Sequence, residues 1–110
     1  MKIIECVPNF SEGRDLNLIN IISDSIESVT GITLLNVDPG IDTNRSVMTF
    51  VGSPDNVIEA AFRGIQKAAE VIDMRKHSGA HARMGATDVC PLVPISNTSM
   101  EECVEYSKML

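Results

Sequence analysis

The chain is short of cysteine, histidine and positive charge, and each shortage excludes something. Its three cysteines, Cys6, Cys90 and Cys103, are odd in number and far apart, which fits neither a disulfide framework nor a CxxC metal site. They read as reduced, mostly buried thiols, the usual condition of free cysteine. Nine Lys and Arg against fifteen Asp and Glu leave a net charge of -6, which is unsuited to nucleic acid, whose phosphates demand a basic face. Long apolar runs are missing too. None approaches the roughly 20 residues that span a bilayer, and Glu5 and Asn9 interrupt the start before a signal-peptide core can form. A cytosolic protein is the expectation. There is no internal repeat and no linker, and 110 residues suit one domain with its own core. With 44% hydrophobic and 22% charged residues, the chain has an ordinary globular composition and not that of a disordered segment.

What is present alternates between strand and helix patterns. Lys2 to Val7 is a short apolar run closed by Pro8 and reads as a buried strand, with a loop over Asn9 to Gly13 after it. From Arg14 to Val29, Leu18, Ile19, Ile22, Ile26 and Val29 recur at helical spacing, and Gly31 ends that helix. Ile32 to Val37 is the second strand, followed by a turn-rich stretch from Asp38 to Asn44. Arg45 to Gly52 is the third. Ser53-Pro54 then opens a helix with an N-cap hydroxyl and a proline at the first helical position. Its predicted core face carries Val57, Ile58, Ala61, Phe62, Ile65, Ala68, Ala69 and Ile72. Val89 to Ile95 contains Pro91 and Pro94, which confine it to a sheet edge. Ser99-Met100-Glu101-Glu102 is a capping box that opens a last helix, with Cys103, Val104, Ser107 and Leu110 predicted inward.

This order is the split βαβ pattern, an α+β ferredoxin-like βαββαβ sandwich with an antiparallel sheet and helices on one face. Strands one to three look apolar on both faces, yet helices cover only one. An uncovered apolar face of that size marks an interface, so a second domain, a second subunit or both are expected.

Both histidines lie in one segment, His77-Ser78-Gly79-Ala80-His81-Ala82-Arg83-Met84-Gly85-Ala86-Thr87-Asp88. Histidine exchanges protons near neutral pH, and glycine allows turns that aim such a ring. Arg75, Lys76 and Arg83, three of only nine cations, surround the pair. A positive island in an acidic chain suits a small anionic ligand; a solvated loop with incidental charges is the alternative. His77 and His81 are four apart, a spacing that puts two rings on one helix face. Gly79 favours a loop instead, and no nearby Cys or Glu pair completes a ligand set, so no metal is expected.

Several stretches together carry a family likeness: Glu5-Cys6-Val7-Pro8-Asn9-Phe10-Ser11-Glu12-Gly13, Asp38 through Arg45, Ile72-Asp73-Met74-Arg75-Lys76-His77, and His81-Ala82-Arg83-Met84-Gly85-Ala86-Thr87-Asp88-Val89-Cys90-Pro91. Over essentially its whole length the chain resembles the N-terminal subdomain of glutamate formiminotransferase. The resemblance implies transfer of a formimino group between N-formimino-L-glutamate and tetrahydrofolate as co-substrate, in histidine degradation and one-carbon metabolism. By the same resemblance the general base falls on His81, whose chemistry suits removal of a proton from an attacking amine, and His77 has no catalytic part. Asp38 is placed near the site, as a carboxylate that orients or charges the His81 ring or, alternatively, as a turn aspartate beside Pro39-Gly40. Arg45 and Arg83 suit substrate carboxylates, and Asn9, Asn44 and Gly85 could supply polar groups and close backbone approach. The family's enzyme continues into a second, folate-contacting subdomain that is absent from residues 1–110, with folate in a tunnel between the two. The chain is therefore expected to be either a fragment or the product of a split or shortened gene that needs a partner chain, and its apolar face adds the expectation of a homo-oligomer. The competing expectation is a non-catalytic module that dimerises through its open face and binds a small anion.

Overall fold

A computed structural model describes residues 2–72 and 87–108, and the side chains of all of these except residues 87–89. His77, His81, Arg83 and Gly85 therefore lie outside the described residues. The elements in chain order are β1 (Ile3–Cys6), β2 (Asn9–Phe10), α1 (Leu16–Glu27), β3 (Thr33–Gly40), β4 (Arg45–Gly52), α2 (Pro54–Val71), β5 (Thr87–Val89), β6 (Leu92–Ser96) and α3 (Met100–Ser107). None of the described helices is long and apolar enough to cross a membrane.

The six strands occupy four rows, because prolines break two of the rows in half. β1 pairs with Phe50 to Gly52 of β4 and β2 with Ser46 and Val47, both antiparallel and along the same edge of β4. Pro8 sits between them and has no amide hydrogen to donate, yet its carbonyl accepts from Met48 N–H at 3.1 Å and keeps the row continuous. The outer row breaks in the same way at Cys90-Pro91, where Pro91 O accepts from Val7 N–H at 3.1 Å. β6 pairs with β1 and β5 with β2, while β3 runs along the other edge of β4. The row order β3, β4, β1/β2, β6/β5 is that of the expected α+β sandwich, with the proline-bearing strand at an edge.

Burial alternates strictly along β1, β2 and β4. Ile4, Cys6, Phe10, Met48 and Phe50 are fully buried on the helix side, and their neighbours are half-exposed on the other. Ile19, Ile22 and Ile26 of α1 and Val57, Ala60, Ala61 and Ala68 of α2 complete this core. Each large apolar side chain so buried contributes about 1.5–3 kcal/mol. The opposite face of the sheet is more mixed than expected: Val47 and Val51 alternate with Arg45 and Thr49, and cross-strand pairing adds Glu5, Asn9, Asn36 and Asp38.

Local details depart from expectation where packing overrides pattern. Asn9-Phe10 is a short strand, because Phe10 belongs to the core. The inward face of α2 is made of small residues, and Phe62 is 53% exposed. Gly64 explains this: a Cβ there would lie 2.9 Å from Ile26 Cγ1, so α1 and α2 approach too closely for a bulky side chain. Ser53 is the N-cap of α2 but makes no side-chain cap bond, whereas Asp15 caps α1 by accepting from Asn17 and Leu18 N–H. α3 points Cys103 inward with Tyr106 half-buried beside it, and Val104 is 51% exposed. Its capping box is half formed: Ser99 Oγ accepts from Glu102 N–H at 3.2 Å, and the Glu102 carboxylate binds Lys2 instead.

That Lys2–Glu102 pair ties the N-terminal residues to α3. The Lys2 hydrogen bond holds the Glu102 carboxyl below its usual range, and the Glu102 hydrogen bond holds Lys2 above its own. The contribution is therefore present above about pH 4.3 and lost as pH falls through the lowered carboxyl value, and it is lost again as pH rises through the raised Lys2 value. Both groups are exposed, so the pair is weak and screened by salt. Glu102→Gln should flatten the acid limb of the thermal midpoint plotted against pH at low salt. In about 1 M salt it should leave the midpoint at neutral pH unchanged.

Candidate functional site

On the sheet face away from the helices, cross-strand pairing aligns Asp38 of β3, Val47 of β4 and Asn9 of β2 in one row. Gly40 and Arg45 form the neighbouring pair. These residues, with Thr43 from the connecting turn, line a pocket of about 210 Å³. Three residues singled out from the sequence, Asn9, Asp38 and Arg45, thus meet at one place although they come from three strands. Asp38 arrives there as a strand residue, since β3 extends through Pro39 to Gly40 and the turn begins only at Ile41. Thr43, Gly40 and Val47 were not singled out. Thr43 and Gly40 lie within the stretch that reads as a turn, and nothing local marks which of its residues face the pocket.

Asn44 takes a different position from its neighbours. It is buried, with φ of 52°, a left-handed conformation that asparagine tolerates better than most residues. Its Oδ1 accepts from Gly13 N–H at 3.0 Å, which fastens the loop between β2 and α1 to the β3–β4 turn. Arg14 Nε donates to Ile41 O at 2.8 Å across the same junction. Glu12 is buried in that loop and its Oε2 accepts from the Arg14 and Asp15 N–H groups at 3.0 and 2.9 Å. Gly13 lies so close to the hairpin that a Cβ would be 2.2 Å from Gly40 O and 2.4 Å from Arg45 O. Loop and hairpin form one rigid corner, and Arg45 stands on it.

The pocket also adjoins the strand in which the histidine segment ends. β5 takes up Thr87 and Asp88, the last two residues of that segment, and its Val89 pairs with Asn9. Among the described residues no group of three His, Cys, Asp or Glu side chains could hold a metal ion.

The pocket presents one carboxylate, one guanidinium and one amide on the uncovered face of a split βαβ sandwich, an arrangement fit to hold a small charged molecule against a second surface. Residues 3–110 match the formiminotransferase domain, N-terminal subdomain, and the chain belongs to that family. It is 57% identical over 107 residues to a formimidoyltransferase-cyclodeaminase of Dictyostelium discoideum, which covers 97% of this chain and 20% of the relative. It is 50% identical over 110 residues to a glutamate formimidoyltransferase of Thermoplasma acidophilum, covering 100% of this chain and 36% of the relative. A glutamate formimidoyltransferase of Streptococcus pyogenes is also 50% identical, over 109 residues and 36% of its length. The chain thus spans between a fifth and somewhat over a third of these relatives.

Proposed function

We propose that the chain forms the N-terminal half of the active site of a glutamate formimidoyltransferase, which moves a formimino group between N-formimino-L-glutamate and tetrahydrofolate. The observation that carries this reading is the meeting of Asn9, Asp38 and Arg45 in one pocket beside β5, the strand in which the histidine segment ends. Names of close relatives supply the reaction class.

In this reading the folate amine attacks the formimino carbon and loses its proton to His81, imidazole being the side chain suited to proton exchange near neutral pH. Asp38 favours the protonated imidazole that results, and the imidazolium passes that proton to the departing nitrogen, so glutamate leaves with a neutral amine as the carbon–nitrogen bond breaks. Arg45, held on the Gly13–Asn44 corner, binds a carboxylate of the amino-acid substrate. Arg83 takes a second carboxylate, and Gly85 allows close backbone approach. A pocket of about 210 Å³ is smaller than the roughly 300–1,000 Å³ typical of complete small-molecule sites. That size supports a division of labour in which a second subdomain closes over the open face and completes the folate site. The same transferase would serve histidine degradation and one-carbon metabolism.

The test is Arg45→Ala in a protein that carries both subdomains. KM for formiminoglutamate should rise about 10- to 100-fold with kcat little changed, because a charged hydrogen bond is worth about 1.5–3 kcal/mol. An unchanged KM would remove Arg45 from this role. If no formimino transfer occurs even when the second subdomain is supplied, the chain is a binding module for a small anion and not half of an enzyme.

A further inference from the structure

Cys6 and Cys90 have no part in the transfer chemistry, although 84 residues separate them and the fold brings their sulfurs to 3.4 Å. Cys6 ends β1 with no exposure, and Cys90 lies half-buried between β5 and β6. The backbones on either side are already locked together: Cys6 is in register with Leu92, and Val7 N–H donates to Pro91 O at 3.1 Å. A disulfide needs sulfurs about 2.05 Å apart on closely spaced backbones.

We propose that Cys6 and Cys90 form an oxidation site that a hydroperoxide converts to an intramolecular disulfide, tying β1 to the β5–β6 connection. The more exposed Cys90 reacts first. The contact with Cys6 lowers the pKa of Cys90, while the same contact and burial push Cys6 up, so Cys90 is the more readily ionised of the two. The Cys90 thiolate attacks the peroxide oxygen, the O–O bond breaks, and the alcohol or water leaves with a proton from solvent, so that Cys90 becomes a sulfenic acid. The Cys6 sulfur then attacks the sulfenic sulfur. An S–S bond forms, the S–O bond breaks, and the Cys6 proton leaves with the hydroxyl as water.

Treating the chain with hydrogen peroxide and then counting free thiols under denaturant tests this. The count should fall from three to one, the mass should drop by two hydrogens, peptide mapping should join Cys6 to Cys90, and dithiothreitol should reverse all of it. The thermal midpoint should rise with the cross-link. Cys103, buried on α3, is the internal control: Cys103→Ala should keep the disulfide, whereas Cys90→Ser and Cys6→Ala should lose it. Should Cys6→Ala fail to fold, Cys90→Ser decides the question, since Cys90 is only half-buried. A thiol count that stays at three, oxygen addition without a cross-link, or a disulfide that involves Cys103 would overturn the proposal.

Discussion

In a protein that carries both subdomains, His81→Ala is expected to lower kcat by about 10² to 10⁴-fold, the usual worth of a positioned general base. KM for both substrates should change little, because a proton acceptor acts in the transition state and not in ground-state binding. The pH profile should separate the base from a structural role. The wild-type rate should rise with pH as the imidazole loses its proton. The variant should lose that inflection. His77→Ala is the matched control, since the histidine segment offers two rings and only one is assigned the proton. It should retain most of its activity. Equal losses in the two variants, or an unchanged rate in His81→Ala, would dismiss the proposed mechanism while leaving the family membership untouched.

Gly13→Ala is expected to be the most damaging small substitution in the scaffold. The added Cβ would meet Gly40 O at 2.2 Å and the Arg45 backbone O and N at 2.4 and 2.5 Å, all main-chain atoms with no rotamer to yield. Overpacking of side chains typically costs about 1–3 kcal/mol. A clash with hydrogen-bonded backbone on a tight hairpin exceeds that range, so a loss of at least about 3 kcal/mol is expected. On a domain of this size the thermal midpoint should fall by more than about 10 °C. Gly31→Ala provides the contrast. It too carries strain, with φ of +90°, but its Cβ meets only the Asn56 side-chain amide, which can swing away. Its cost should stay near 1 kcal/mol. Calorimetry on both variants checks the ranking, and a Gly13→Ala midpoint no lower than that of Gly31→Ala would refute the rigid corner.

Much of the fold is legible in the chain because it depends on short-range physics. The helical spacing of Ile19, Ile22 and Ile26, the Ser53-Pro54 start and the Ser99 cap each concern residues within one or two turns of one another. Helices α1, α2 and α3 are accordingly where the pattern predicts them. The inward face of α2 is less legible, since Phe62 matches the apolar pattern as well as Ala60 does. The close approach of Gly64 to Ile26, 38 residues away in the chain, leaves room only for small side chains on the inward face.

The site divides in the same way. Residue identity was enough to single out Asn9, Asp38 and Arg45, through motif resemblance and through the fit of guanidinium and carboxylate to charged substrates. Their convergence was not readable, because it rests on the antiparallel register of β2, β3 and β4, a set of pairings between residues distant in sequence. Asp38 shows the difference most clearly. Beside Pro39 and Gly40 it reads as a turn residue, and only its pairing with Val47 makes it part of a strand facing the pocket. The cysteines show it again: far apart along the chain they suggest no bond, while the fold sets their sulfurs 3.4 Å apart.

The sequence by itself determined the three helices, the alternation of helix and strand along the chain, the edge position of the proline-bearing strand and the family to which the chain belongs. These depend on local periodicity, backbone chemistry and contiguous motifs. Only the tertiary structure decided that two rows of the sheet are each broken at a proline, that the β2–α1 loop is fastened to the β3–β4 turn through Asn44, and that a carboxylate, a guanidinium and two thiols find their neighbours. Those outcomes depend on which strands pair and in what register, and a one-residue shift in register moves every side chain to the opposite face.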